Sequence, residues 1–146
     1  MPVERRMIVL VVEDDESHYE LIERSVRGLE KAGTRYDLHW VQDGAEALDF
    51  LFRKGKYKDA PRPNLVLLDL NLPKVKGQTV LDRIKEDEKL RKIPVVVLTV
   101  STSDEEMARA YDSGAAGFLN KPASRDDFDR LLNTVWDYWR IVRVPD

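Results

Sequence analysis

Four short stretches of this chain place reactive side chains directly behind apolar runs. Residues 7–12 lead into Glu13, Asp14 and Asp15, and residues 65–68 lead into Asp69, with Asn71 two positions later. Residues 94–98 lead into Thr99, and residues 116–119 lead into Asn120, Lys121 and Pro122. A carboxylate at the end of an apolar run is costly to desolvate unless something pairs with it. Carboxylates a few ångströms apart cannot all stay ionised, so one takes up a proton or a cation joins them. With oxygen donors and no cysteine in the chain, a hard ion is favoured. Mg²⁺ fits best, because it binds through a few carboxylates and keeps several waters. Lys121 adds a fixed positive charge and Thr99 a hydrogen-bond donor, a set that a phosphoryl group would complete. A carboxylate beside Mg²⁺ and an ammonium can itself be the nucleophile and form an acyl phosphate.

Each residue taken singly has a plainer explanation. Asp14 or Asp15 can cap a following helix, and Thr99 is an ordinary β-branched strand residue. Lys121-Pro122 can be a turn, with a cis peptide as one option, and Asp69 can bond the amides of the next loop. Four such residues at the ends of four strands of one sheet are harder to assign to chance.

The elements that must bring them together are legible in the periodicity. Residues 7–12, 36–41, 65–68, 94–98 and 116–119 are short β-rich runs, and helical patterns separate them. Tyr19, Ile22, Val26 and Leu29 recur at helical spacing in the first helix. Ala45, Leu48 and Phe52 do so in the second, opened by Asp43 and Glu46 in a capping-box arrangement. Val80, Leu81 and Ile84 mark the third, and Ser103 and Glu106 open a fourth that carries Met107 and Ala110. Phe128, Leu132, Val135 and Trp139 mark the last. Repeated strand–helix alternation predicts an α/β fold, a doubly wound parallel sheet covered by helices on both faces. The second run is the poorest and belongs at or near an edge. In such sheets the functional cleft lies beyond the carboxyl ends of the strands.

Composition narrows the function classes. The chain has 146 residues, 42% hydrophobic and 35% charged, with net charge −3. That is one globular domain, with no positive field for nucleic acid or a membrane surface. The two histidines, His18 and His39, have no partner at zinc-ligand spacing. No apolar run approaches a membrane span, and the start lacks a signal-peptide core, so a cytoplasmic location is expected. The basic stretch 53–64 reads as a solvated linker.

The ordered set of Glu13-Asp14, Asp69, Thr99 and Lys121-Pro122, with "DLNLPKVKG" around Asp69, resembles the response-regulator receiver domain of two-component signalling over nearly the whole chain. The resemblance implies a flavodoxin-like sheet in the order 2-1-3-4-5 flanked by five helices. It implies that Asp69 accepts a phosphoryl group from a histidine kinase, and that the protein accepts phosphate rather than turning over a substrate. Asp14, Asp69 and the Asn71 carbonyl would hold Mg²⁺, with Glu13 reaching it through water. Lys121 would pair with the phosphoryl oxygens, Thr99 would bond one of them, and Phe118 would turn inward. Such contacts would bias an existing equilibrium between two arrangements, and ~3 kcal/mol shifts populations about 150-fold. The output surface would be the fourth helix, fifth strand and fifth helix. One departure is Val100, where the family usually has a small residue. Its branched side chain is expected to narrow access to the phosphorylation pocket for small donors. Ser101 occupies a position at which the family tunes hydrolysis.

The receiver is expected over residues 1–140, and residues 141–146 form an apolar tail. Trp136, Tyr138, Trp139, Ile141 and Val142 make this end unusually apolar, as at an interface between copies or with a partner. With "IPVVVLTVS" and the long loop before Asp69, this ending is similar to regulators that serve phytochrome-type kinases. On that narrower likeness the kinase would be a bacteriophytochrome and the regulator a homodimer. Two alternatives stay open. A dehalogenase-type phosphohydrolase also uses Asp, Mg²⁺, Thr and Lys, but needs a second Asp where Asn71 stands. A receiver-like binding module would take no phosphate at all.

Overall fold

A computed structural model of the chain describes residues 5–27 and 33–145. Its elements are β1 Arg5–Val12, α1 Glu16–Arg27, β2 Thr34–Val41, α2 Gly44–Leu51, a 3₁₀ turn at Gly55–Tyr57, β3 Leu65–Leu68, α3 Gly77–Glu86, β4 Val95–Thr99, α4 Asp104–Asp112, β5 Gly117–Asn120 and α5 Arg125–Ile141. The five strands form one parallel sheet in the order β2-β1-β3-β4-β5. β2 lies at the edge, as its weaker pattern predicts, and is only half-buried along its middle.

The two-residue period of each strand sorts side chains to the two faces. Leu10, Val12, Val66, Leu68, Val95 and Val97 pack under α2, α3 and α4. Met7, Val9, Val11, Leu65, Leu67, Val96 and Leu98 pack under α1 and α5. Strands β3 and β4 are therefore apolar without interruption because each is covered on both sides. No helix among the described residues is long and apolar enough to cross a membrane.

Several helical expectations change on contact with the structure. In α2 the fully buried stripe is Ala47, Phe50 and Leu51, whereas Ala45, Leu48 and Phe52 are half-buried at its flank. Both stripes have helical spacing, so periodicity alone does not choose between them. Asp43 and Ser103 each accept the predicted amide bond, from Glu46 and Glu106 respectively. The two glutamates turn elsewhere, Glu46 to the Tyr57 hydroxyl and Glu106 to that of Ser101. Met107 is exposed while Ala110 is buried. Leu29 lies outside the described residues. The segment 53–64 is not simply solvated, since Tyr57 and Ala60 pack on the core.

The last helix carries the largest correction. Trp136 is wholly enclosed and Trp139 nearly so, both in the core with α1 and β2. The Trp136 indole N–H donates to Ser25 Oγ at 2.7 Å, and its ring lies 4.8 Å from that of Tyr36. Val142 is packed against the same core. Only Tyr138 and Ile141 of the expected interface set stand exposed as large apolar side chains. The ring of Trp136 widens the buried stripe because Tyr36 and Ser25 complete its pocket from the neighbouring strand and helix.

Candidate functional site

Strand register builds the site. Val12 pairs with Leu68 across β1 and β3, so the next residues of each strand, Glu13 and Asp69, emerge side by side. The main chain supports both: Glu13 N–H donates to Val41 O at 3.0 Å and Asp69 N–H to Val12 O at 3.1 Å. On the other side Thr99 pairs with Asn120, and the next N–H, that of Lys121, donates to Thr99 O at 2.8 Å. Lys121 is thus launched from the carboxyl end of the sheet toward the acids.

The loop after Asp69 is held close by two glycines. A Cβ on Gly77 would lie 2.2 Å from Asp69 O, and one on Gly44 would lie 1.9 Å from Val75 O. Any side chain at either position would push the loop away from the site. Within the loop Asn71 N–H donates to Asp69 Oδ1 at 3.0 Å, and Lys74 adopts the left-handed region at φ 67°. The Lys121-Pro122 peptide is trans, as are all peptides among the described residues.

Glu13, Asp14 and Asp69 each offer a carboxylate oxygen, and these oxygens lie within 4.8 Å of one another. Glu13 and Asp69 are buried, while Asp14 is open to solvent. The Lys121 side chain is 3% exposed, bonds Asp69 Oδ2 at 2.7 Å and also bonds Glu13 Oε1. Glu13 Oε2 accepts from Asp15 N–H at 3.1 Å, and its main-chain oxygen accepts from the Trp40 indole at 2.7 Å. Burial pushes the Glu13 carboxyl up to about 7 despite the pull of Lys121, and the Asp69 charge adds to the push. For Lys121 burial acts downward, but its bonds to Asp69 and Glu13 win, and the ammonium is held above its ordinary range. Asp15 caps α1, accepting from Ser17 and His18 N–H at 2.9 and 3.2 Å.

Three carboxylates against one ammonium leave negative charge uncompensated in a largely buried place. The donors are all oxygen, and one acid is open to solvent, so the set fits a hard divalent cation that keeps part of its water. Thr99 is fully buried, and its hydroxyl accepts from Ser101 N–H at 3.3 Å. Phe118 is half-buried against the α2–α3–α4 side of the core. Val100 is 58% exposed at the end of β4. The structure therefore brings Glu13, Asp14, Asp69 and Lys121 into one cluster and puts Thr99 and Phe118 on the adjoining strands.

Two contributors carry no sequence signal: His18, whose Nδ1 lies 3.0 Å from Lys121 Nζ, and Trp40. Trp40 meets Glu13 across 27 residues and His18 meets Lys121 across 103, separations that no local pattern marks.

The response regulator receiver domain family matches residues 9–133. The chain is 44% identical over 140 residues to the probable methanogenesis regulatory protein FilR2 of Methanothrix harundinacea, covering 95% of this chain and 87% of that protein. It is 35% identical over 139 residues to the response regulator Rcp1 of Synechocystis, covering 94% and 92%. The crystal structure of Mn²⁺-bound Rcp1 superposes with a TM-score of 0.90 at 34% identity, covering 96% and 99% of the two chains. The phosphorylated cyanobacterial phytochrome response regulator RcpA superposes with a TM-score of 0.91 at 32% identity, covering 97% and 99%.

Proposed function

This chain belongs to the response regulator receiver domain family, and on that premise we propose that Asp69 is its phosphoacceptor. The observation that carries the reading is the position of Asp69: buried, one oxygen held by Asn71 N–H and the other by Lys121, beside two further acids. The phosphoryl donor is a phosphohistidine of a kinase. An Asp69 oxygen attacks phosphorus, the P–N bond breaks, and the imidazole leaves with the bonding pair. Asp14, Asp69 and the Asn71 carbonyl are the groups that would hold Mg²⁺, with Glu13 behind them. When bound, the ion supplies positive charge against the phosphoryl oxygens.

The chain's own residues do the rest. Lys121 moves from Asp69 to the incoming oxygens, and the Thr99 hydroxyl gives up Ser101 N–H to donate to one of them. Phe118 follows into the space that Thr99 vacates, and the α4–β5–α5 surface changes for a partner. The protein promotes its own phosphorylation and dephosphorylation through these groups: water attacks phosphorus in the second step, the P–O bond to Asp69 breaks, and inorganic phosphate leaves as the carboxylate is restored. It works in the cytoplasm, as a homodimer that takes no nucleic acid. Exposed Tyr138 and Ile141 are the residues left to join the copies. The likeness to the phytochrome response regulator RcpA supports a phytochrome-type kinase as its partner.

Phosphotransfer from a purified histidine kinase tests this. The kinase adds one phosphoryl group to the wild-type chain and none to Asp69→Asn; equal labelling of both contradicts it. Multiple turnover of a generic phosphate ester would instead indicate a hydrolase. A photosensory kinase that transfers no faster than an unrelated one removes the phytochrome assignment.

A further inference from the structure

A lysine ammonium has three N–H donors and no acceptor, and at Lys121 each donor has a partner. Two are Glu13 Oε1 and Asp69 Oδ2, and the third is His18 Nδ1 at 3.0 Å. Because the ammonium only donates, Nδ1 accepts and the ring proton sits on Nε2, which faces Asp15 Oδ2 at 3.8 Å.

The imidazole is set in place from three directions. Its own main-chain N–H is fixed by the Asp15 cap at 3.2 Å, in the first turn of α1. Its ring lies 5.7 Å from that of Phe128, a buried residue of α5. Its Nδ1 points to an ammonium that comes from the end of β5. Helix α1, helix α5 and strand β5 therefore meet at this one side chain.

We infer that His18 is a positioning residue for Lys121 during phosphorylation of Asp69, an inference that rests on the reading of Asp69 as the phosphoacceptor. Before reaction Lys121 occupies Asp69 Oδ2. To meet the phosphoryl oxygens it must leave that atom without leaving the site. The bonds to Glu13 and His18 are the two that persist through the exchange, and the neutral imidazole is the only one of its three side-chain partners that is not a carboxylate. Without it, the ammonium is drawn by two acids alone and settles deeper between them, away from the incoming group. With acetyl phosphate as donor, the phosphoryl P–O bond to acetate breaks, a P–O bond to Asp69 forms, and acetate leaves with the electron pair. Lys121 and His18 keep their protons throughout.

The test is Mg²⁺-dependent labelling of the full chain by acetyl phosphate, followed by intact mass over time. His18→Ala lowers the saturated rate about tenfold, the worth of one hydrogen bond to a charged group, with the half-saturating donor concentration unchanged. His18→Asn restores an acceptor oxygen near the place of Nδ1 and comes within about twofold of wild type. In a Lys121→Ala background, His18→Ala changes the rate by less than about twofold, because the two residues act as a unit. His18→Ala labelling at the wild-type rate, His18→Asn as slow as His18→Ala, or the full loss persisting without Lys121 would each overturn the inference. A wild-type chain that never gains phosphate overturns the phosphoacceptor reading itself, and this inference with it.

Discussion

Two cations gather oxygen atoms at opposite ends of β1, and they do so for different ends. Arg5 opens the strand and donates to the main-chain oxygens of Trp139 at 3.2 Å, of Arg140 at 2.5 Å, and of Val142. These are carbonyls that the last turn of α5 leaves without partners, and a positive charge there also complements the helix dipole. Lys121 lies beyond the other end, among Glu13, Asp69 and His18. The Arg5 cluster is complete: neutral acceptors are satisfied and the chain end is fastened to the domain. The Lys121 cluster is not, because three acids outnumber its one charge. Stability alone would favour the first kind of arrangement everywhere. The second kind suits a place that receives a cation and a phosphoryl group, the role proposed for it above.

The contrast can be broken by removing each cation in turn. Lys121→Ala leaves Glu13 and Asp69 buried without a counter-charge. Its expected cost is about 3 kcal/mol, at the low end for such a loss because Glu13 can take up a proton. Urea unfolding measures this, and Mg²⁺ should return much of the loss by binding only the folded state. Arg5→Ala should cost about 2 kcal/mol through unpaired carbonyls at the end of α5. Added Mg²⁺ should not restore it, and phosphorylation should be unchanged. An Arg5 variant rescued by Mg²⁺ would show that the two ends are not separate.

Glutamine at position 13 sharpens the comparison through pH. Burial raises the folded Glu13 carboxyl to about 7, above its unfolded value of 4.5. Between those values the folded state binds more protons, so this group makes stability fall as pH rises through the interval. Glu13→Gln should therefore be more stable than wild type above neutrality without metal, and the advantage should vanish toward pH 4. Thermal unfolding across pH measures it, and Mg²⁺ should erase the difference by compensating the wild-type charge. The smallest effect is expected at the mouth of the site. Val100→Ala should raise the rate of labelling by acetyl phosphate a few-fold. Unchanged labelling would mean that exposed Val100 stands clear of the donor's path.

The working end of the molecule was far more legible in the sequence than the fastened end. Glu13-Asp14, Asp69, Thr99 and Asn120-Lys121 each stand at the end of an apolar run, and a parallel sheet gathers whatever stands at its carboxyl ends. Chain position therefore translates into spatial position. Trp136 shows where that translation stops. A bulky apolar residue beside a helical core stripe suits an interface or a wider core equally well, and only the pocket made by Tyr36 and Ser25 decides. His18 was invisible for the same reason, since its role depends on a lysine 103 residues away. In α2, two apolar stripes shared the helix, and the sheet chose the one that periodicity did not single out.

The most direct measurement is intact mass after incubation with a small phosphodonor, comparing wild type with and without Mg²⁺ and Asp69→Asn with it. The account predicts one added phosphoryl group on the wild-type chain, formed only when the divalent ion is present, and none on the variant. Phosphate appearing on Asp69→Asn, or on the wild type equally fast in a chelator, would contradict it.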